Sequence, residues 1–214
     1  MIKNILFDFD GVICESVDIK TEAFYEMYIS SGEDIAQKVK FHHLKNGGMS
    51  RYDKFKYYEE VFLEKSITTE RMNTLSTQFS KLVKEKVIDA PFVEGALEFL
   101  EKNAKRYKCF IISATPIDEM REIAKAKKID KYFKEIFGSP TNKIEWGKYI
   151  LNTYNLKTQE TVFVGDALSD FNAAKKNNIH FLLRQTKDNK ELFSNEVSSI
   201  SNLTSLIKIL NTYE

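Results

Sequence analysis

Cysteine is scarce in this chain: Cys14 and Cys109 are two among 214 residues. Two thiols cannot staple a fold of this length, so a disulfide framework is excluded. Both lie in or beside apolar runs, where a free cysteine packs as a small hydrophobe. No histidine or second cysteine stands near Cys14 in sequence to activate it as a nucleophile. A surplus of either charge is also missing, since 32 Lys and Arg oppose 31 Asp and Glu for a formal net charge of +1. The balance excludes the basic excess of a nucleic-acid binder. The Lys-rich stretch 125–134 is interleaved with Ile129, Tyr132 and Phe133, and reads as the solvated side of a helix and its exit. No apolar stretch approaches the roughly 20 residues needed to cross a bilayer. The opening MIKNILFDFD lacks the apolar core of a signal peptide, and no internal repeat or low-complexity segment is visible. The expectation is a cytoplasmic protein with neither nucleic-acid nor membrane partners.

What is present is apolar sequence in short, regular pieces. At 43% hydrophobic residues the chain can build one domain, or one domain with an insert. Apolar runs at 5–9, 109–112, 135–137, 161–164 and 179–183 each end near polar or small residues. Helical periodicity fills 117–128, 143–154 and 169–177 between the later runs. This alternation predicts an α/β fold with a Rossmann-like parallel sheet covered on both faces, working at the carboxyl ends of its strands. The region 16–90 breaks the rhythm and carries only amphipathic helices. Their stripes are Ala23, Phe24, Met27 and Tyr28; then Phe55, Tyr58 and Phe62; then Met72, Leu75, Phe79, Leu82 and Val83, with Thr68 as an N-cap and Glu70 in the first turn. An all-helical cap over 16–90, inserted into a core of 1–15 and 91–214, is therefore expected. Pro91 and Gly95 punctuate the return, and 200–210 reads as a terminal helix with Leu203, Leu206, Ile207 and Leu210 turned inward.

Chemistry gathers at the predicted strand ends. The first run ends in Asp8-Phe9-Asp10-Gly11. Residues two apart on a strand share a side, so the two carboxylates leave together. One can attack phosphorus while the other handles the proton of the leaving oxygen. Gly11 would let the backbone turn away. A plain turn or a calcium loop uses the same letters. The second run ends in Ser113-Ala114-Thr115, whose hydroxyl and backbone N–H groups can hold phosphate oxygens; a helix N-cap is the alternative reading. After the third comes Lys143, whose ammonium can neutralise phosphate charge, while Lys148 reads as solvent-facing. The fourth ends in Gly165-Asp166-Ala167-Leu168-Ser169-Asp170, where Asp166 and Asp170 can face one cleft as oxygen ligands suited to magnesium. Asp170 can also be a helix-capping acid. A nucleophile with an acid, a phosphate cradle, a cation and metal-binding acids thus occur in order along one sheet.

This set resembles the haloacid dehalogenase-like hydrolase superfamily over nearly the whole chain. The resemblance implies Asp8 as nucleophile through an aspartyl-phosphate, Asp10 as general acid and then base, and Ser113 and Lys143 on the transferred phosphoryl group, with Ala114 and Gly11 beside it. Magnesium would sit between Asp8, the backbone carbonyl of Asp10 and Asp166, with Asp170 supporting its waters. The dehalogenase branch lacks the second Asp of the first motif, so Asp10 favours phosphoester chemistry. A cap between the first and second motifs is similar to the helical-cap group that includes phosphoglycolate phosphatase and β-phosphoglucomutase. Within it, residues 44–51 (LKNGGMSR) resemble that group's substrate loop, which places Arg51 against an anionic or polar part of the substrate; a surface arginine opening a helix is the other reading. Lys20 stands where the mutases carry a histidine, which argues against mutase chemistry, and Lys143 precedes Ile144 where the group often has proline. His42 and His43, just before the 44–51 loop, are expected at the surface or in packing, with the cleft wall as the other reading. The resulting expectation is a magnesium-dependent phosphatase for a small phosphorylated metabolite, acting as a monomer or weak dimer. A phosphomutase, or a non-catalytic binding protein on the same fold, is the alternative.

Overall fold

The computed structural model of the chain describes residues 1–194 and 197–213. Its centre is a wholly parallel sheet of six strands. These are β1 (Asn4–Phe7), β2 (Lys108–Pro116), β3 (Glu135–Ser139), β4 (Thr161–Gly165), β5 (His180–Arg184) and β6 (Ser199–Ile200). They lie in the order β3-β2-β1-β4-β5-β6. The alternation of side chains along a strand builds both cores at once. Ile5 and Phe7 of β1 join one apolar cluster, while Leu6 joins Phe110, Ile112, Phe137 and Phe163 in the other.

Between β1 and β2 the chain inserts α1 (Val17–Tyr28), α2 (Glu33–Lys45), α3 (Arg51–Tyr57) and α4 (Thr69–Asp89). A π-helical turn, Tyr58–Phe62, extends α3. Phe24 centres the packing of this insert, with its ring 4.2 Å from Phe79, 5.5 Å from Phe55 and 5.8 Å from Tyr58. Aromatic pairs at such separations add to simple area burial. Thr68 caps α4 by accepting from the Arg71 N–H. The outgoing and returning chains are clasped together: Cys14 bridges Phe92, and the Glu15 N–H donates to Pro91. Burial pushes the Cys14 thiol up to about 11 and that of Cys109 to about 12, so both stay protonated and inert at neutral pH.

Helices α5 (Ala96–Asn103) and α6 (Ile117–Ala126) cover one sheet face, and α7 (Lys143–Thr153) and α8 (Leu168–Lys176) the other. The short α9 (Leu206–Leu210) joins the first face.

The sequence reading needs correction at the carboxyl end. Ile200 is not helical; it belongs to β6, a sixth strand, and the Gln185 N–H donates to its carbonyl. Leu203 turns inward from a loop whose N–H donates to Glu94, so only 206–210 remains helical. A two-residue strand is too short to carry an apolar run, which hid it. At β3 the strand also runs past 137 to Ser139.

Candidate active site

Strands β1 and β4 are neighbours, yet their connections leave in opposite directions along the sheet. Such a reversal opens a crevice at the carboxyl ends of the strands. Asp8 is the first residue after β1, and its N–H donates to the Val164 carbonyl of β4 at 2.9 Å. Asp166 is the first after β4. Lys143 opens α7 and reaches back, buried, to bond Asp8 Oδ2 at 2.7 Å and Asp170 Oδ1 at 2.6 Å. Asp170 also accepts from the Ala167 N–H at 3.1 Å, so it caps α8 and pairs with the lysine together. Asp8, Asp166 and Asp170 each offer an oxygen, all within 4.8 Å of one another. A hard oxygen set of this kind can hold a divalent cation.

The charges are crowded. Burial pushes the Asp8 carboxyl up to about 7 against the pull of Lys143, with Asp170 and Asp10 adding to the rise. Burial, with Asp8 and Asp170 nearby, also holds Asp166 well above the ordinary carboxylate range. A single ammonium is thus insufficient for the acids around it, and a bound cation would relieve them. Asp10 behaves oppositely. Burial works against its ionisation, but Lys20 outweighs that and holds Asp10 below its usual range. Its Oδ1 accepts from Ser16 at 2.6 Å and its Oδ2 from Lys20, whose ammonium also donates to Thr115 Oγ1 at 2.8 Å.

Gly11 adopts a left-handed φ of 73° against Asp166. A Cβ there would strain the backbone and collide with the Asp166 carboxylate. Gly11→Ala is accordingly expected to weaken divalent-cation binding about tenfold, as displaced metal-site residues do; calorimetric titration measures this, and unaltered affinity would contradict it.

Ser113 lies at a shift of the β2 register, and its Oγ accepts from the Thr115 N–H at 3.1 Å. It does not cap α6, whose N-cap is Pro116. Ala114 lines the cleft with Asp8, Asp10 and Asp166. The cleft holds about 200 Å³. Arg51 also lines it, but the guanidinium is spoken for. It donates to both Glu119 oxygens at 2.6 and 3.0 Å and to Ser80 Oγ at 2.6 Å. His43 is buried on the cleft wall while His42 stacks on Tyr57; Lys148 is exposed.

Sequence reasoning missed Ser16, Lys54 and Asn189, and it read Thr115 only as part of the Ser113 segment, without its contact to Lys20. Ser16 sits within a few residues of a motif position and was open to discovery there. Asn189, which donates to the Asp166 carbonyl at 2.8 Å, carries no sequence signal.

The family model of haloacid dehalogenase-like hydrolases matches residues 5–183. A 5'-nucleotidase from Pseudomonas aeruginosa is 23% identical over 184 residues, covering 82% of this chain and 79% of its own. Among solved structures, a hydrolase from Pseudomonas syringae superposes with a TM-score of 0.78 at 20% identity, over 98% of both chains. A CbbY variant from Rhodobacter sphaeroides, in complex with xylulose-(1,5)bisphosphate, gives 0.73 at 14% identity over 96% of both. The chain belongs to the haloacid dehalogenase-like hydrolases, with a helical cap inserted between β1 and β2. No described helix is long and apolar enough to cross a membrane.

Proposed function

We propose that this hydrolase is a magnesium-dependent phosphatase of a small phosphorylated metabolite, with Asp8 as the nucleophile. The carrying observation is the convergence on Asp8 of Lys143 and the acids Asp166 and Asp170, with Asp10 held beside them. The 5'-nucleotidase relative and the sugar bisphosphate in the CbbY complex point to phosphate esters as the substrate class. The cap and core are taken as residues 16–90 and as 1–15 with 91–214.

Asp8 attacks phosphorus in line, and the Asp8–phosphorus bond forms as the ester oxygen leaves. The Phe9 N–H bonds Asp8 Oδ1 at 2.7 Å and Lys143 bonds Oδ2, which fixes the carboxylate for attack. Asp10 delivers a proton to the leaving oxygen and later removes one from the water that cleaves the aspartyl-phosphate. Lys20 must loosen its hold on Asp10 in that cycle, because a carboxyl held ionised is a poor acid and a good base. Lys143, Ser113 and the N–H groups around Ala114 offset charge on the equatorial oxygens. Gly11 gives the loop its turn. Asp8, Asp166 and the Asp10 carbonyl would hold magnesium, backed by Asp170; when bound, it supplies positive charge against the phosphoryl oxygens. The cap excludes bulk water from the cleft.

Phosphate release from a panel of phosphorylated metabolites tests the reading. Release with magnesium and its abolition by chelator are expected. Hydrolysis indifferent to chelator would overturn the metal assignment, and isomerised sugar phosphate in place of free phosphate would overturn hydrolysis.

A further inference from the structure

Buried cations normally face anions, because removing a charge from water is costly unless it is paired. At this cleft the rule holds for Lys143 with Asp8 and Asp170, for Lys20 with Asp10, and for Arg51 with Glu119. Lys54 breaks it. Its side chain, on α3, is 2% exposed and lines the same cleft as Asp8 and Asp10. Among the described residues it has no carboxylate within ion-pair distance. Its polar partner is His43 Nδ1 at 2.8 Å, an imidazole buried against Phe24 with ring centroids 4.9 Å apart. Burial, then Lys54 itself, holds that ring well below its usual range and therefore neutral. An ammonium has three donors, and His43 takes one.

We infer that Lys54 is a specificity-determining residue, whose missing anion is a second acidic group of the substrate. The substrate class is then a phosphate monoester that also carries a carboxylate or another phosphate. Its reacting phosphoryl group lies at Asp8 and the second group reaches the cap wall at Lys54. The inference rests on the phosphatase reading and narrows it. Arg51, the other buried cation on α3, is already satisfied by Glu119 and Ser80. The Lys54 amine falls to about 7, chiefly through burial and then the charge of Lys20, as a lysine lacking its counter-charge does. A ligand anion would supply that charge.

The test compares matched esters. One series is ω-phosphooxy carboxylic acids of increasing chain length; another is alkanediol bisphosphates; the reference is ω-hydroxyalkyl phosphates of equal length. The wild-type enzyme is expected to favour one acidic series by at least about tenfold in kcat/KM, the worth of one charge-assisted bond. The favoured series tells carboxylate from phosphate. Lys54→Met should collapse that ratio mainly through KM, and Lys54→Arg should restore part of it. Equal use of acidic and neutral esters by the wild-type enzyme would overturn the inference while leaving a phosphatase. So would an unchanged ratio in a folded Lys54→Met protein. No phosphate release from any ester would instead overturn the phosphatase reading beneath it.

Discussion

Asp8→Asn is expected to reduce phosphate release by on the order of 10⁴-fold or more, as loss of a covalent nucleophile does, without unfolding the protein. The second half of that statement follows from the electrostatics. The Asp8 carboxyl sits at about 7, against an ordinary value of 3.8. A carboxyl raised on folding contributes stability below its unfolded value, and that contribution is lost as pH rises through the folded value. Above about pH 7 the metal-free protein therefore bears the cost of an ionised, buried Asp8. An asparagine of the same shape removes that cost and leaves Lys143 paired with Asp170. In chelator at pH 8, the unfolding temperature of the variant should match or exceed that of wild type. Activity and thermal melts of the same preparation check both halves. Activity within tenfold of wild type would remove Asp8 from the role of nucleophile, and a collapsed melt would show that its carboxylate is structural.

Lys143→Met is expected to act in the opposite sense on stability. The methionine fills similar volume but withdraws the charge that Asp8 and Asp170 share, and Asp170 is fully buried. Stranding buried carboxylates in this way costs about 3–5 kcal/mol. For a chain of this size that corresponds to a fall in unfolding temperature of about 10 °C. The loss should depend on pH. Lys143 is the group that holds Asp8 down, so without it the Asp8 carboxyl rises further. Proton binding then stabilises the variant at low pH and fails as pH rises, so its deficit should be largest near pH 8 and shrink towards pH 5. Melts in chelator across that range measure it. A deficit that stays constant with pH would mean that packing, rather than stranded charge, accounts for the loss.

Much of the candidate site was legible because Asp8 and Asp166 stand at strand ends and Ser113 stands where β2 loses its regular register. Asp8, Ser113, Lys143 and Asp166 follow short apolar runs, and a buried parallel strand requires such a run whatever the tertiary detail. Backbone alternation then fixes where the next polar side chain emerges. The cap helices were legible for a related reason: each carries its own apolar stripe at helical spacing, and the stripes bring Phe24, Phe55 and Phe79, one from each helix, into one shared core. The sixth strand was not legible, since Ser199–Ile200 is defined by its pairing with β5 rather than by its own composition.

The sequence by itself determined the α/β order, the helical insert and the types of chemical group available at each strand end. These depend on local periodicity and on the two-residue repeat of a strand. Which charges meet was decided only by the tertiary structure. Arg51 and Lys54 lie three apart on one helix, and the resemblance of residues 44–51 to the helical-cap group's substrate loop points to the arginine as the group that meets a substrate anion. The packing of α3 against α4 and α6 gives Arg51 to Glu119 and Ser80, and leaves Lys54 on the cleft beside a neutral His43. Charge pairing acts through space over a few ångströms, and sequence separations of 68 residues for Arg51–Glu119 and 27 for Lys143–Asp170 leave no local trace of it.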